Sequence, residues 1–598
     1  MKYRPEIDGL RGLAVLAVVW FHSGLPGLSG GFSGVDIFFV ISGYLITSII
    51  HDGTSSGRFS YGYFYERRFR RIAPALVTVV AATTLVAFVL LLPYELDQFA
   101  RSAAAAVAMV SNIYFWRTGD YFALASHSVP LLHSWSLGVE EQFYLLFPAT
   151  LVFAQRIGKA RLAIAALAIG SFLLCVIATP RFQSASFYLL PTRGWELMIG
   201  AALALGMVSV RKRLDQAAGA AGLALSIAAV VLLSESDPFP GWRALLPTLG
   251  AALIIASSQR TVASRALSVA PLVYVGRISY SLYLWHWPVF VFLRHLNADP
   301  ELSPALALAG IATSGVLSAA TYRWIEQPAR RGSTPFRRVL VPSIAASAAI
   351  LVLCAVAIAG RGLEQRLPER VSLIASGHGA HAPLARACSD IGFDAALERC
   401  RIGPAGPAQV LLWGDSHAAA ISEAVATAFD KPGIVVSTGA CVPTLGTADS
   451  AHQPVSCRAV NARTLQLAQT SPDITTVVIS AYWAASQGSS GQGLWASVQP
   501  LVDRLNAAGK TVVVVAGVPD PGVDVPWASA IRERFGRPPL RLTCTKPTAA
   551  LRGIILVDVS ADFCREPAYV LFSDSNHPSR HAGLTIIAPA IRRSLAAK

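Results

Sequence analysis

A polytopic α-helical membrane bundle of about eleven spans, followed by a C-terminal α/β/α three-layer domain with a parallel sheet, is the fold predicted by this chain of 598 residues. Three observations predict it. At 53% hydrophobic and 14% charged the chain is too apolar for an average soluble protein, and the excess lies before residue 360. Basic residues cluster between the apolar runs with a bias to one side. From residue 406 short apolar strands alternate with helical segments, the pattern of a parallel sheet covered on both faces.

The apolar runs fall at 12–22, 35–50, 75–92, 141–154, 162–178, 186–208, 216–233, 244–257, 278–293, 305–322 and 339–359, most of them near the roughly 20 residues that cross a bilayer. The first is short enough to pass for a signal-peptide core, but no small-x-small cleavage site follows it. Ten runs make up a membrane domain over 1–335, and 336–360 is the eleventh helix.

The net charge of +15 invites a nucleic-acid reading, but its distribution argues against one. Lys2 and Arg4 precede the first run, Arg67, Arg68, Arg70 and Arg71 the third, and Arg330, Arg331, Arg337 and Arg338 the eleventh. Arg156, Lys159 and Arg161 follow the fourth, and Arg211, Lys212 and Arg213 the sixth. If the runs alternate, all of these face one side, as the positive-inside rule requires. The N-terminus is then cytoplasmic and, with an odd count, residues 360–598 lie outside.

Cysteine usage is an independent check. Cys175 and Cys354 fall in apolar runs, whereas Cys388, Cys400, Cys441, Cys457, Cys544 and Cys564 all follow residue 360. An even number in an exported segment suits disulfides, and the short gaps suggest 388–400, 441–457 and 544–564 among the fifteen pairings open to six cysteines. Residues 361–405, rich in Gly, Pro, Ala and Arg, read as an exported linker. Strands are then expected at 409–413, 433–438, 475–481, 511–516 and 553–559, with the site at their carboxyl ends.

The strings Gly414-Asp415-Ser416-His417 and Asp574-Ser575-Asn576-His577 bracket this stretch. A serine hydroxyl is a weak nucleophile until an imidazole takes its proton, and a carboxylate holds that imidazole in the useful tautomer. Asp574 and His577, three residues apart, are close enough for this in a turn. Ser416 falls where a strand turns into a helix, so its N–H can face a developing oxyanion, and Gly439 can offer a second backbone donor. One such donor is worth ~3 kcal/mol at the transition state. Asp415 reads as a helix cap, His417 as a helix-start residue and His581 as surface. The two strings resemble those of the SGNH hydrolase family. That resemblance implies Ser416, Asp574 and His577 as the catalytic triad and Gly439 as the second-block glycine. The family's Gly-x-Asn block has no match, since the chain reads Ser480-Ala481-Tyr482-Trp483 after the third strand.

In the first half, Arg11 and His22 lie eleven residues apart, within about 20° of one helix face and about 16 Å along its axis. Ionisable groups at membrane depth are costly and mark function, although a lone buried histidine is as readily a packing residue. Around this pair stand Phe38-Phe39-Val40-Ile41-Ser42-Gly43, the run from Arg67 to Pro74, His133 to Tyr144 with Glu140 and Glu141, Arg193-Gly194-Trp195-Glu196, and Ser279 to Pro288 with His286. The set resembles the acyltransferase-3 family of membrane acyltransferases over residues 1–335. The resemblance implies an acyl group, usually acetyl, taken from a cytoplasmic coenzyme A thioester as donor substrate, with no bound cofactor. It also implies His22 as catalytic, with Arg11, Phe38, Phe39, Ser42, Gly43, Arg68, Arg71, Glu140, Glu141, Arg193 and Glu196 at the membrane site. Arginines present paired donors to phosphate, so Arg68 and Arg71 suit the donor's phosphates as well as they suit membrane anchoring.

Together the two resemblances imply an O-acyltransferase, acetyl-CoA dependent, that modifies hydroxyls of an envelope carbohydrate such as O-antigen, peptidoglycan or a lipid-linked glycan. Its partners are the lipid bilayer, the acyl-CoA donor and that acceptor. Two other classes remain open on sequence: a membrane-anchored glycan esterase, and a transporter with an exported binding module. No metal site is expected, because the histidines lack paired ligand spacing.

Overall fold

The computed structural model describes residues 3–119, 128–389, 391–446, 456–483, 492–542, 551–564 and 567–597. It divides into two compact units, Met1–Leu363 and Glu364–Lys598.

Among the described residues the regular elements of the first unit are all helices. Six of its helices frame the site: α1 (Pro5–His22), α2 (Gly34–Ser55), α3 (Tyr61–Leu90), α4 (Ser134–Arg156), α5 (Leu190–Ala204) and α6 (Ala270–Asn297). α1 packs along α6, and α2 along α5. The second crossing is set by glycine. A Cβ added at Gly43 would come within 1.9 Å of the Leu197 carbonyl oxygen, and one at Gly200 within 2.1 Å of the Val40 oxygen. Small residues at such crossings let two backbones approach.

The expectation of about eleven spans is corrected here. Among the described residues six helices are long and apolar enough to cross a membrane: Gly31–Ser55, Tyr61–Leu90, Ala160–Ala178, Lys212–Leu232, Pro304–Arg330 and Phe336–Ala359. The other five apolar runs fall in helices that are too polar or too short. α1 carries Glu6, Asp8 and Arg11 in 18 residues, α4 carries Glu140 and Glu141, and α6 carries Arg277, His286, Arg294 and His295. The run at 186–208 breaks after Tyr188 into the short helix Gln183–Tyr188 and the 15-residue α5, and 244–257 yields only a short apolar helix. The physical division is between outer and inner positions. The span Ala160–Ala178 buries only 11% of its apolar window against the protein, so its remaining surface is left for lipid. Helices at the centre, hidden from lipid, carry the polar groups and lose their hydropathy signal. With six spans in place of eleven, the odd-count argument for the two ends of the chain loses its premise; the chain remains a multi-pass membrane protein.

The second unit is built on a six-stranded sheet of β1 (Arg401–Ile402), β2 (Val410–Gly414), β3 (Gly433–Ser437), β4 (Thr476–Ser480), β5 (Thr511–Ala516) and β6 (Ile555–Asp558), in the order β1-β3-β2-β4-β5-β6. All neighbours are parallel except β1, a short antiparallel edge strand on β3. Successive side chains point to opposite faces. Leu412, Val435, Val478, Val513 and Val557 pack in one core with Val425 and Ile591, while Leu411, Val436, Ile479 and Val514 pack in another with Leu465 and Leu501. Helices therefore cover both faces, and the near-continuous Val, Ile and Leu of the strands follow from that. Residues 369–402 form the helices Glu369–Ala375, Pro383–Ala387 and Phe393–Arg399 and the strand β1. Two disulfides, Cys388–Cys400 and Cys441–Cys457, lie in this unit. Cys564 is also disulfide-bonded, and Cys544 lies outside the described residues. Cys175 and Cys354 are free and buried.

Gly43→Ala is expected to lower the thermal midpoint of the full chain in detergent, because the Leu197 backbone cannot give way. Gly315→Ala is its control: Gly315 lies in the helix Pro304–Thr321 with nothing within 4 Å of an added Cβ, so the same change there is expected to be neutral or stabilising by up to about 1 kcal/mol.

Candidate functional site

In the second unit, Ser416 opens the helix α7 (Ser416–Ala420) directly beyond β2. The residue before it does the positioning. Asp415 caps α7 through the His417 N–H at 2.8 Å, accepts the Tyr482 N–H beyond β4 at 2.7 Å, and offers its carbonyl to the Ser437 hydroxyl of β3 at 2.8 Å. Asp415 is thus more than the cap expected from sequence, because it ties together the carboxyl ends of three adjacent strands.

The two bracketing strings meet. His577 Nε2 lies 2.7 Å from Ser416 Oγ, and its Nδ1 lies 2.7 Å from Asp574 Oδ2. A carboxylate only accepts, so Nδ1 carries the proton and Nε2 is left to accept from the serine. The other oxygen of Asp574 accepts the N–H groups of Asn576 and His577 at 3.0 and 2.8 Å, which holds the turn between them. Burial raises the Asp574 carboxyl, but the hydrogen bond and charge of His577 and the two N–H groups outweigh it and leave it well below the usual carboxylate range. Gly439 lies two residues beyond β3, the neighbour of β2, and Ser480-Ala481-Tyr482-Trp483 continues from β4. His581 is exposed.

Sequence reasoning missed what surrounds the triad. His417 is buried, its ring stacked on Tyr482 at 5.0 Å and tilted against His577 at 4.9 Å. Asn576 stands beside both His417 and Tyr482. His381 hydrogen-bonds the Ser573 hydroxyl at 2.8 Å, and Ser573 N–H in turn donates to the His577 carbonyl. The tyrosine in place of the Gly-x-Asn asparagine was the one available signal.

In the first unit, Arg11, Phe38, Phe39, Ser42, Arg68, Arg71 and Glu140 line one cavity with about 820 Å³ of empty space between α1, α2, α3, α4 and α6. Ser42 donates to Glu140 at 2.6 Å, and Arg11 pairs with Asp8 at 3.1 Å. Glu141 is next to that cavity in sequence, with one carboxylate oxygen buried and unpartnered. Gly43, Arg193 and Glu196 do not line it. Gly43 is a crossing glycine, and Arg193 is a buried ion partner of Asp36 at 3.1 Å and Glu196 at 2.9 Å, surrounded by the rings of Phe39, Trp135, Phe187 and Phe239. His22 does not line the cavity either. Its Nδ1 lies 3.0 Å from His286 Nε2, the rings stacked, with Trp287 edge-on. His286 Nδ1 faces the carbonyl of Tyr283 at 2.6 Å, so it carries the proton, its Nε2 accepts, and His22 Nδ1 donates. His133 lies against the His286 ring at 5.6 Å. Among the described residues no group of His, Cys, Asp and Glu is arranged to hold a metal ion.

Burial, and then the charge of His577, lower His417 to about 3, while burial raises Asp415 to about 6. A histidine with a depressed folded value takes its proton only on unfolding, so its contribution falls as the pH drops below about 6.5, at up to about 1.4 kcal/mol per unit. Asp415 acts with the opposite sign: the native state holds its proton between about 4 and 6, so stability falls there as the pH rises. His417→Gln is therefore expected to unfold less steeply with acid than the wild type between pH 6.5 and 4.5, as read from denaturant midpoints of the full chain. Equal slopes would show that His417 takes up its proton in the native state.

Two families match the chain: the acyltransferase domain over residues 4–323, and the SGNH domain that is fused to acyltransferase-3 domains over residues 387–593. The O-acetyltransferase OatA of Staphylococcus aureus is 33% identical over 352 residues, which is 55% of this chain and 58% of that protein. The peptidoglycan O-acetyltransferase OatA of Listeria monocytogenes is 33% identical over 55% of this chain and 56% of its own length. The putative peptidoglycan O-acetyltransferase YrhL of Bacillus subtilis is 33% identical over 57% and 58%. The match thus spans less than two thirds of these curated relatives. No solved structure matches. The acyltransferase match alone takes in more than half of the sequence, and the chain belongs to the acyltransferase-3 family, with an SGNH domain at its C-terminal end.

Proposed function

We propose that this chain is an O-acetyltransferase of the bacterial inner membrane, which takes an acetyl group from cytoplasmic acetyl-CoA and delivers it to hydroxyls of an envelope glycan. In this reading 1–335 is the acyltransferase domain, 336–360 a helix leading from it, 361–405 a connecting segment, and 406–598 the SGNH domain outside the membrane. The observation that carries it is the unbroken relay from Ser416 Oγ through His577 to Asp574, in one chain with an acyltransferase domain. The relatives named as peptidoglycan O-acetyltransferases support the choice of acceptor. The disulfides of the second unit favour an oxidising compartment outside the cytoplasm.

The chemistry is a double displacement. Ser416 Oγ attacks the acetyl carbonyl as its proton passes to His577 Nε2, and the leaving group departs with that proton. An acetyl-serine remains. A sugar hydroxyl then attacks the ester, gives its proton to Nε2, and Ser416 leaves reprotonated. Asp574 stabilises the imidazolium in both steps, and the N–H groups of Ser416 and Gly439 face the oxyanion. In the bundle, Arg11, Arg68 and Arg71 line the cavity that takes the donor, with Arg68 on its phosphates, Glu140 and Ser42 border the same cavity, and His22 moves a proton. His286 fixes the tautomer that leaves His22 Nε2 as the basic atom.

Ser416→Ala is expected to abolish acetylation of the envelope glycan by labelled acetyl-CoA, and Asp574→Asn to slow it about 10⁴-fold. Retention of label on the glycan in Ser416→Ala would refute the serine step. His22→Ala is expected to cut transfer by about 10²–10⁴-fold with Ser416 intact, read as label reaching the serine.

A further inference from the structure

The arginines of the first unit differ in their partners. Arg4, Arg11, Arg70, Arg193 and Arg330 each sit within 3.1 Å of a carboxylate. Arg58, Arg67 and Arg68 have no ion-pair partner among the described residues. These three converge on a second cavity, about 540 Å³ of empty space around the start of α3, whose described lining includes Phe59, Ser60 and Tyr63 and no carboxylate. Arg68 also lines the first cavity, so the two share a wall. It is 9% exposed and its Nε is buried without a hydrogen-bond partner. The guanidinium of Arg67 lies 5.6 Å over the Tyr63 ring, and that ring is 61% exposed.

A buried guanidinium with an unused N–H, two more cations beside it and aromatic faces at the rim form a receptor for a ligand with several phosphates and a flat base. We propose that the second cavity binds the 3′-phosphoadenosine diphosphate end of the donor, while the pantetheine thioester arm runs past Arg68 into the first cavity. This rests on the reading of acyl-CoA as donor. Arg58 and Arg67 take the 3′-phosphate, Arg68 the diphosphate at the junction, and Phe59 and Tyr63 flank the adenine. The phosphate of an anionic lipid offers the same charge, but it has no flat ring to use the aromatic rim.

The test is calorimetric titration of the full chain in phosphatidylcholine nanodiscs with coenzyme A, dephospho-coenzyme A and adenosine 3′,5′-bisphosphate. Coenzyme A is expected to bind about tenfold tighter than its dephospho form, since a charged hydrogen bond is lost with the 3′-phosphate. Adenosine 3′,5′-bisphosphate is expected to compete with coenzyme A. Arg58→Ala and Arg67→Ala are each expected to erase the preference. Equal affinity of the wild type for coenzyme A and its dephospho form overturns the proposal without any variant. So does a preference that survives in both variants, or variants that change only retention of phosphatidylglycerol, which would make this a lipid site. A wild type that binds no coenzyme A would refute the donor reading itself, an outcome distinct from binding without phosphate preference.

Discussion

The C-terminal site depends on one carboxylate that uses both of its oxygens. Asp415 receives the N–H of His417 on one side and of Tyr482 on the other, and its carbonyl receives the Ser437 hydroxyl. Ser416 is then the residue between two pinned neighbours, and its Oγ has little freedom to leave the path of His577. Burial makes this arrangement demanding, because an unmet donor or acceptor there costs about 1–3 kcal/mol. Asp574 repeats the device, giving one oxygen to the turn and the other to the imidazole. The triad is aligned by backbone N–H groups that the two acids collect.

Inside the bundle the same rule acts without water to relax it. A polar side chain there must find a partner on a neighbouring helix or a cation–π surface. Arg193 has both: Asp36 and Glu196 as counter-charges, and four aromatic rings around its guanidinium. His22 and His286 meet through ring nitrogens, and the chain of donors ends on the Tyr283 carbonyl. Such pairs require inner helices with a polar side, and the outer helices then supply the lipid-facing surface.

This division explains what was legible in the sequence. The strands around Val410–Gly414 and Thr511–Ala516, and the two bracketing strings, were readable because each is a local pattern: an apolar run, a turn and a fixed spacing. The pairs Cys388–Cys400 and Cys441–Cys457 were readable because the gaps are short. The number of spans was not, since apolar runs such as 12–22 and 141–154 belong to helices whose charged residues fall outside the run or on its inner side. Nor was the stack of His417 between Tyr482 and His577, which joins residues more than sixty positions apart. The family resemblance groups Arg193, Glu196 and Gly43 with Arg11 and Ser42, and no local pattern could say that the first three would lie outside the cavity that the other two line.

The neighbours also give the arginines different meanings. A guanidinium taken out of water costs several kcal/mol, and a carboxylate beside it returns most of that. Arg70 has Glu66 at 2.8 Å and Arg193 has two acids, so their burial is balanced within the protein and they serve the fold. Arg68 is as deeply placed, with the Phe64 ring under its guanidinium and Glu141 nearby, but with no direct ion pair among the described residues and an unused Nε–H. Its cost is returned only in part by these neighbours. A charge kept under those terms is balanced by something that arrives from outside, and the shape around it, one cavity on each side, sets where the anionic part of that arrival must lie.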